Sequence, residues 1–363
     1  MLPTPLDALP TPSLLVDLDR LERNIAAMAS AFATAGVALR PHVKTSKCWE
    51  VARRQLDAGA IGLTCSTAAE VAWLRGHGVA DLLWAHIPIG PRKVEFVVGT
   101  ALDGGGLTVS LDSVEAARPL SEAASAAGVT VPFVLEVNTG HARLGVDPAD
   151  AVATAAGIAA LPGLRLRGVL THEGHISALA DRPSLERAGA AAGGLLVEVA
   201  GALRAAGHHV EIVSVGSTPG ATSTPFVSGV TEGRPGTYVY YDGNQIRMGS
   251  CGPDQCAQTV LARVASVRRV GRPIIDAGVK AMSSDAIAAA GGVGLVVDRP
   301  GVTFPEANEE HGFLHDGGTV PLPVGDLVRL VPNHACGTTN MWSHLYAVRG
   351  DQAVERWEIS ARY

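Results

Sequence analysis

One segment near the N-terminus carries a lysine that could act as a nucleophile. Lys44 lies in Arg-Pro-His-Val-Lys-Thr-Ser-Lys at residues 40–47, two positions after His42. A lysine amine that is removed from water has a lowered pKa and can react with carbonyl groups. Taken alone, Lys44 is more typical of an ordinary charge at the rim, as is Lys47, so its interpretation depends on the residues that other motifs bring near it.

Two further motifs contain groups that bind anions or transfer protons. Arg143 lies in Asn-Thr-Gly-His-Ala-Arg-Leu-Gly at residues 138–145, and His172 and His175 lie in Thr-His-Glu-Gly-His at residues 171–175. A histidine can donate, accept or relay a proton near neutral pH. We therefore expect His172 or His175 to take part in catalysis, and the sequence does not choose between them.

A short turn of glycine and hydroxyl residues predicts a phosphate site. Gly216, Ser217 and Thr218 are followed by Pro-Gly. Backbone N–H groups and small hydroxyl side chains are suitable phosphate donors. The signal is weak by itself, but it becomes stronger if the turn follows the seventh strand of a barrel, where phosphate groups are often bound.

A histidine and a cysteine near the C-terminus could bind a metal ion. His334 and Cys336 are separated by one residue, and in an extended strand they would lie on the same face. An imidazole and a thiolate make half of a zinc site. The alternative is a buried cysteine beside a structural histidine. Cys251 and Cys256 match no common metal-ligand spacing, and we interpret them as structural.

The elements that position these residues alternate between short strands and longer helices. Eight candidate strands, each followed by a helix-length segment, predict a closed (β/α)8 barrel. A doubly wound open sheet is the alternative, but it rarely reaches eight repeats without an antiparallel insertion. The candidate strands are residues 38–44, 61–65, 82–86, 107–111, 133–137, 166–170, 211–215 and 238–242. In a barrel, Lys44, Arg143, His172 and the turn after residue 215 would all lie at the mouth formed by the strand ends.

A β-rich second domain follows the barrel. Strands separated by Gly, Pro and Asp turns are predicted at residues 260–270, 292–297, 327–331, 345–348 and 353–359, with one short helix near residues 284–290. The fold class predicted is therefore α/β, a TIM-like barrel with a second, mainly β domain. We place the barrel at residues 15–247 and the β-rich domain at residues 1–14 plus 248–363.

Composition limits the possible partners and location. The chain has 363 residues and a net charge of −6, without a basic face that would bind nucleic acid or an anionic membrane. No apolar run reaches the roughly 18 residues of a membrane span. The five cysteines are scattered, which argues against a disulfide framework. We expect a cytoplasmic protein that acts on a small molecule.

Together these motifs resemble the fold-type III pyridoxal-phosphate enzymes, in the branch that holds D-serine dehydratase and D-threonine aldolase. Residues 40–47 resemble the Schiff-base segment of that family. The resemblance extends along nearly the whole chain, through residues 11–19, 276–285, 310–312, 332–336 and 357–362. It implies an alanine-racemase-like barrel with a β domain, and a homodimer.

The resemblance also implies roles for individual residues. Lys44 would form the internal aldimine with pyridoxal 5'-phosphate, and Arg143 would lie beside the cofactor ring or its O3′ oxygen. The loop of Gly216, Ser217 and Thr218 would bind the phosphate. His42 and Tyr241 are further expected cofactor contacts. His334 and Cys336 would hold a divalent metal, with zinc preferred because of the thiolate and manganese or magnesium as alternatives.

Differences within the family favour one activity. The aldolases commonly carry a His-x-Asp metal pair and a tyrosine after the sixth strand, where this chain has Cys336 and His172. The family often has histidine where this chain has Ser46, which leaves no role for that side chain. We predict a dehydratase of D-3-hydroxy amino acids such as D-serine, D-threonine or 3-hydroxy-D-aspartate. The alternatives are an aldolase that yields glycine and an aldehyde, and a non-enzymatic protein that binds pyridoxal phosphate.

Overall fold

The structure is a computed structural model that describes residues 3–179, 181–283, 292–318 and 320–362. The chain divides into two compact units. Unit 1 comprises Met1–Ala27, Thr45–Arg54 and Thr237–Arg362, and unit 2 comprises Met28–Lys44 and Gln55–Gly236. The helix predicted near residues 284–290 lies outside the described residues.

Unit 2 is built on eight parallel strands. The strands are β3 (Ala38–Leu39), β4 (Leu63–Cys65), β5 (Asp81–Trp84), β6 (Gly106–Leu111), β7 (Val131–Glu136), β8 (Leu164–Leu170), β9 (Ile212–Val215) and β10 (Glu232–Gly233). They are hydrogen-bonded in the order β3-β10-β9-β8-β7-β6-β5-β4. A parallel bridge between His42 and Thr64 joins the two ends of this order. The strands thus follow a ring, which confirms the barrel and rules out the doubly wound sheet.

Helices cover the outside of these strands. They are α3 (Ala68–Gly76), α4 (Pro91–Leu102), α5 (Val114–Ala126), α6 (Ala151–Ala159) and α7 (Arg182–Ala205). Two further helices, α1 (Leu18–Ala35) and α2 (Trp49–Asp57), each have residues in both units. The strands of a parallel barrel are covered on both faces, so they are almost continuously buried rather than alternating. β6 shows this pattern, because every residue after Gly106 is buried.

Helix α7 has the length and composition of a possible membrane span, with a mean hydropathy of 1.3. Its buried residues, which include Leu185, Leu196 and Leu203, recur at helical spacing on one side. The helix packs against β8 and β9. That packing is typical of a barrel helix, and no other helix in the described parts of the chain meets the same criteria.

Two of the predicted barrel strands need correction. The eighth strand is Glu232–Gly233, whereas the predicted strand at residues 238–242 overlaps a 3-10 turn at Thr237–Val239 and the cap of the next helix. The first strand ends at Leu39 instead of continuing to Lys44. Pro41 has no N–H to donate, so the ladder cannot continue regularly through it. Apolar residues predicted strands at both places, but the backbone forms 3-10 turns there instead.

Unit 1 contains one large sheet. Its strands are β1 (Thr4–Pro5), β2 (Ser13–Asp17), β11 (Gln258–Ser266), β12 (Ile274–Ile275), β13 (Gly294–Val296), β14 (Thr303–Ala307), β15 (Gly312–His315), β16 (Leu327–Pro332), β17 (His344–Arg349) and β18 (Gln352–Glu358). β2 pairs antiparallel with β11 and parallel with β17. A domain boundary between residues 14 and 15 would fall inside β2.

Three short α-helices lie in the described residues after β10, and the small strands of unit 1 were hard to predict. The helices are α8 (Gly243–Arg247), α9 (Val279–Met282) and α10 (Ala335–Met341). The mainly β character of this part of the chain is confirmed. Strands β12, β14 and β15 were missed, because they are short and interrupted by charged residues and turns.

Candidate active site

Lys44 lies in a single turn of 3-10 helix, Val43–Thr45, just after β3. The Lys44 backbone N–H donates to His42 Nδ1 over 3.4 Å. Because Nδ1 accepts this bond, a neutral His42 carries its proton on Nε2, which lies 3.2 Å from the Ser66 hydroxyl. The turn therefore fixes both the position of Lys44 and the tautomer of His42.

His172 is held neutral by its surroundings. Burial, together with the positive charges of Lys44 and Arg143, lowers the pKa of His172 well below its usual value. Its Nδ1 lies 2.5 Å from the carbonyl oxygen of Gly216. A carbonyl only accepts, so Nδ1 carries the proton, and Nε2 is left with a lone pair that can accept a proton from a ligand.

Two more histidines surround His172. The rings of His141 and His172 meet edge to face with centroids 5.7 Å apart. A Cβ at Gly174 would lie 2.9 Å from His141 Nε2 and 3.1 Å from His172 Nε2, so only glycine fits beneath the two rings. His175 packs on Gly140, and within the described residues its buried Nδ1 has no hydrogen-bond partner. The sequence prediction included His172 and His175 but omitted His141.

Arg143 lies in the loop after β7. Asn138 shapes this loop, because its side-chain oxygen accepts the N–H groups of Gly140 and Ala142, each over 3.0 Å. Ala142 has a φ of 52°, which lies in the left-handed region. Arg143, His141, His172 and Glu136 line one depression. Burial raises the pKa of Glu136, although a hydrogen bond from Ser110 and the charges of Arg234 and Arg143 oppose that effect.

The predicted phosphate loop follows β9, the seventh strand of the barrel. Gly216 N–H donates to the Glu173 carboxylate over 3.2 Å, and the Ser217 hydroxyl donates to it over 2.8 Å. Thr218 is buried beside them. Gly216 has no room for a side chain, since a Cβ there would lie 2.9 Å from Arg234 Cβ.

Arg234 is a site residue that the sequence prediction missed. It follows β10, is 5% exposed, and donates to the carbonyl oxygen of Thr171 over 2.7 Å. Burial lowers its pKa, while the carboxylates of Glu232, Glu173 and Glu136 act in the opposite direction. The turn Arg-Pro-Gly after a Glu-Gly pair was the available signal, but the eighth strand had been placed after it rather than before it.

The His334 and Cys336 pair is not on a strand face. β16 ends at Pro332, and α10 begins at Ala335, so His334 is the N-cap residue and Cys336 lies in the first turn. Cys336 Sγ lies 3.1 Å from the Thr45 hydroxyl and 3.8 Å from that of Thr237. The hydroxyl groups of Thr45 and Thr237 therefore hold the Cys336 sulfur in place, and either partner in each contact could be the donor.

A buried aspartate holds the start of α10. The carboxylate of Asp242 accepts the Ala335 N–H over 2.9 Å and the Gln245 N–H over 3.0 Å. Burial raises the pKa of Asp242 to about 6, although these hydrogen bonds and the charge of His334 oppose the rise. Asp242 therefore links α8 to the backbone between the two predicted metal ligands.

Tyr241, the remaining predicted cofactor contact, immediately precedes Asp242. It is 8% exposed and has a φ of 49°, so it lies in a tight turn rather than in the predicted strand. Lys44, His42, Arg143, His172, His175 and the 216–218 loop belong to unit 2, while Tyr241, His334 and Cys336 belong to unit 1.

Two family models match the chain. Residues 16–243 match the alanine racemase N-terminal domain, and residues 257–348 match the putative serine dehydratase domain. The first model covers more than half of the chain. The chain belongs to this family of fold-type III pyridoxal-phosphate enzymes, and its dehydratase and aldolase relatives are lyases.

Individual relatives align over almost the full length. The chain is 38% identical to D-threo-3-hydroxyaspartate dehydratase of Delftia sp. (strain HT23), over 96% of this chain and 97% of the relative. It is 32% identical to D-threonine aldolase of Arthrobacter sp., over 99% and 94%. A solved structure of D-threo-3-hydroxyaspartate dehydratase, with a cysteine replaced by alanine and in the metal-free form, has a TM-score of 0.92 at 36% identity, with 98% of each chain covered.

Proposed function

We propose that the protein is a dehydratase of D-3-hydroxy amino acids that converts D-serine, D-threonine or 3-hydroxy-D-aspartate into a 2-oxo acid and ammonia. The observation that carries the proposal is the His334 and Cys336 pair at the start of α10, with two hydroxyl groups around the sulfur. The similarity to a dehydratase over 96% of the chain supports the same activity.

The residues of unit 2 fit pyridoxal 5'-phosphate. Lys44 would bind the cofactor covalently, Arg143 and His42 would contact it, and the 216–218 loop, bare of side chains at Gly216, would hold the phosphate. Tyr241 of unit 1 is a further proposed contact. When bound, the cofactor would act as an electron sink for the bonds at Cα of an amino acid.

The donor set of unit 1 fits a divalent metal. Imidazole nitrogen and thiolate sulfur are ligands that zinc prefers, and manganese or magnesium would be the less favoured alternatives. Within the described residues, no group of three or more His, Cys, Asp or Glu side chains could hold a metal ion. On the chemistry of their donor atoms, we propose His334 and Cys336 as the protein ligands, and the metal would supply Lewis-acid chemistry at the β-hydroxyl group.

Proton transfer is assigned to Lys44, His172 and His175. The Lys44 amine would remove the proton from Cα of the substrate. Nε2 of His172 carries a lone pair, because Nδ1 donates to Gly216, and could accept or return a proton. His175, whose buried Nδ1 lacks a partner among the described residues, is the second candidate for this role.

The second candidate function is the aldolase reaction, which yields glycine and an aldehyde. The 32% identity to D-threonine aldolase over 99% of the chain supports it. The thiol of Cys336 argues against it, because the aldolases commonly carry an aspartate at this position of the His-x-Asp pair. The non-enzymatic alternative has less support, because residues 257–348 match a dehydratase domain that a simple cofactor-binding barrel would not need.

The test is product identification with each of the three substrates. The purified protein, supplied with pyridoxal phosphate and zinc, should form a 2-oxo acid and ammonia, and a chelator should abolish this activity. Lys44→Ala should lose both the activity and the visible absorbance of the bound cofactor. Glycine with an aldehyde would identify an aldolase instead, and absorbance that survives in Lys44→Ala would refute the role of Lys44.

We further propose that the enzyme is a cytoplasmic homodimer. This proposal rests on the family resemblance. Light scattering coupled to gel filtration should give twice the 37.3 kDa mass of one chain, and a monomeric mass would refute it.

A further inference from the structure

A buried carboxylate lies behind the proposed phosphate loop. Glu173 directly follows the candidate base His172, and it is 0% exposed. Its oxygens accept the Gly216 N–H over 3.2 Å and the Ser217 hydroxyl over 2.8 Å. Since His172 Nδ1 donates to the Gly216 carbonyl, consecutive side chains hold both polar backbone groups of Gly216.

The Ser217 hydroxyl is committed to this arrangement. It gives its only proton to Glu173 and accepts the Gly220 N–H over 3.0 Å. A serine hydroxyl has one proton to donate. A phosphate at this loop must therefore use donors other than the Ser217 hydroxyl and the Gly216 N–H, which both donate to Glu173.

The loop is closely fitted to the carboxylate. A Cβ at Gly220 would lie 2.6 Å from Glu173 Oε1 and 2.7 Å from the Thr224 hydroxyl, so the loop passes with bare backbone at this point. The negative charge of Glu173 also acts on the buried guanidinium of Arg234. The two opposite charges offset part of the cost of burying each other.

We propose that Glu173 is a positioning residue for the cofactor phosphate: it fixes the Gly216–Gly220 segment from the protein side without contacting the phosphate itself. The inference rests on the proposed cofactor role of this loop. It predicts a defect that depends on the phosphate group, because a displaced loop affects pyridoxal phosphate but not pyridoxal, which lacks the phosphate.

The test compares the affinities of wild type and Glu173→Gln for pyridoxal phosphate and for pyridoxal, by titrating the visible absorbance of the bound aldehyde. Glutamine keeps one acceptor but turns an NH2 group towards a second donor. We expect the dissociation constant for pyridoxal phosphate to rise by about tenfold or more, as for the loss of a hydrogen bond to a charged group. The constant for pyridoxal should stay within about twofold, since no phosphate contact is at stake.

A matched control and a second variant complete the test. Asp17→Asn changes a carboxylate that also accepts a backbone N–H, that of Arg20 over 3.0 Å, and should leave both affinities unchanged. If Glu173→Gln fails to fold, Ser217→Ala removes the hydroxyl that joins Glu173 to Gly220. It should weaken pyridoxal phosphate binding by about threefold, with pyridoxal binding unchanged.

The outcomes separate this inference from the proposed function. Equal losses for both aldehydes, or no loss for either, would overturn the positioning role while the cofactor role stands. A wild-type protein that binds neither aldehyde would overturn the proposed function, and this inference with it. A loss confined to the phosphorylated aldehyde supports both.

Discussion

Reactive groups in unit 2 owe their protonation states to buried neighbours. The negative charges of Glu232, Glu173 and Glu136 act on the buried guanidinium of Arg234. His172 is neutral because burial and nearby cations disfavour its charged form. A neutral imidazole has a free lone pair and need not lose a proton before it acts as a base, but its lowered pKa makes it a weak one. The same arrangement has a cost in stability when the pH falls.

The depressed pKa of His172 predicts how stability depends on pH. The unfolded chain takes up a proton below about pH 6.5, whereas folded His172 stays neutral to lower pH. Its contribution to stability is therefore complete above that pH and is lost as the pH falls through the folded pKa. His172→Asn should flatten the fall in the free energy of unfolding below about pH 6.5, by up to about 1.4 kcal/mol per pH unit.

Urea unfolding of the cofactor-free protein between pH 7 and 5 measures this dependence. The exposed His315 provides the control, since His315→Asn should follow the wild-type curve. A His172→Asn curve parallel to that of the wild type would contradict the low pKa.

Residue types were easier to predict than the groups that tune them. Lys44, His172 and the Gly216 turn stood out because reactive side chains or glycines occur there in short motifs. Glu173 and Arg234 did not, since a buried charge and an exposed one look the same in a sequence. Only the fold shows that Arg234 is 5% exposed.

At the scale of elements, hydrophobic periodicity predicted the longer strands, but turns set the bounds of the short ones. The barrel strands of three or more residues were predicted to within a few residues, because buried apolar runs mark them. The two-residue strands β3 and β10 have no period to detect. His334 and Cys336 would share a face only if their segment were extended, but the Asp242 carboxylate accepts the Ala335 N–H and a helix begins there.

Two adjacent glycines in α7 predict opposite effects of the same substitution. A Cβ at Gly193 would lie 2.9 Å from the Thr224 carbonyl oxygen, whereas nothing lies within 4 Å of a Cβ at Gly194. Gly194→Ala should stabilise unit 2 by about 0.5–1 kcal/mol through the higher helix propensity of alanine. Gly193→Ala should destabilise it by about 1–3 kcal/mol, because helix and loop must move apart.

Thermal or urea unfolding of the two variants tests this pair, and each serves as the control for the other because both carry the same chemical change. Equal effects would show that the packing of α7 against the Thr224 turn is looser than the structure describes.

For the whole molecule, the sequence indicated a barrel and a β-rich part but not how the chain threads through them. The N-terminal strand and residues 45–54 both belong to unit 1. Strand pairing between distant segments leaves no local signal, so the sequence could not assign β2 to its sheet. Partner strands that lie more than 200 residues away explain that failure.

Ligand binding to the whole molecule should show separate contributions from the two proposed sites. A ligand at one hundred times its dissociation constant adds about 2.7 kcal/mol to the free energy of unfolding. Pyridoxal phosphate and zinc should therefore each raise the melting temperature. Lys44→Ala should abolish the increment from pyridoxal phosphate and keep that from zinc, and His334→Ala should do the reverse.

Differential scanning calorimetry with each ligand measures these increments. If zinc gave its full increment in both His334→Ala and Cys336→Ala, the proposed metal ligands would be wrong. The absorbance of bound pyridoxal phosphate in the two variants provides an independent check that the barrel is folded.

The position of β2 in the sequence has a consequence for how the protein folds during its synthesis. Ser13–Asp17 is synthesised well before its partners β11 and β17, which end at Ser266 and Arg349. Nascent chains fold from the N-terminus as segments emerge. The barrel can therefore form before the partner strands of Leu14, Leu15 and Val16 have been synthesised. A chaperone that shields this apolar segment would protect the chain until β11 and β17 have been synthesised.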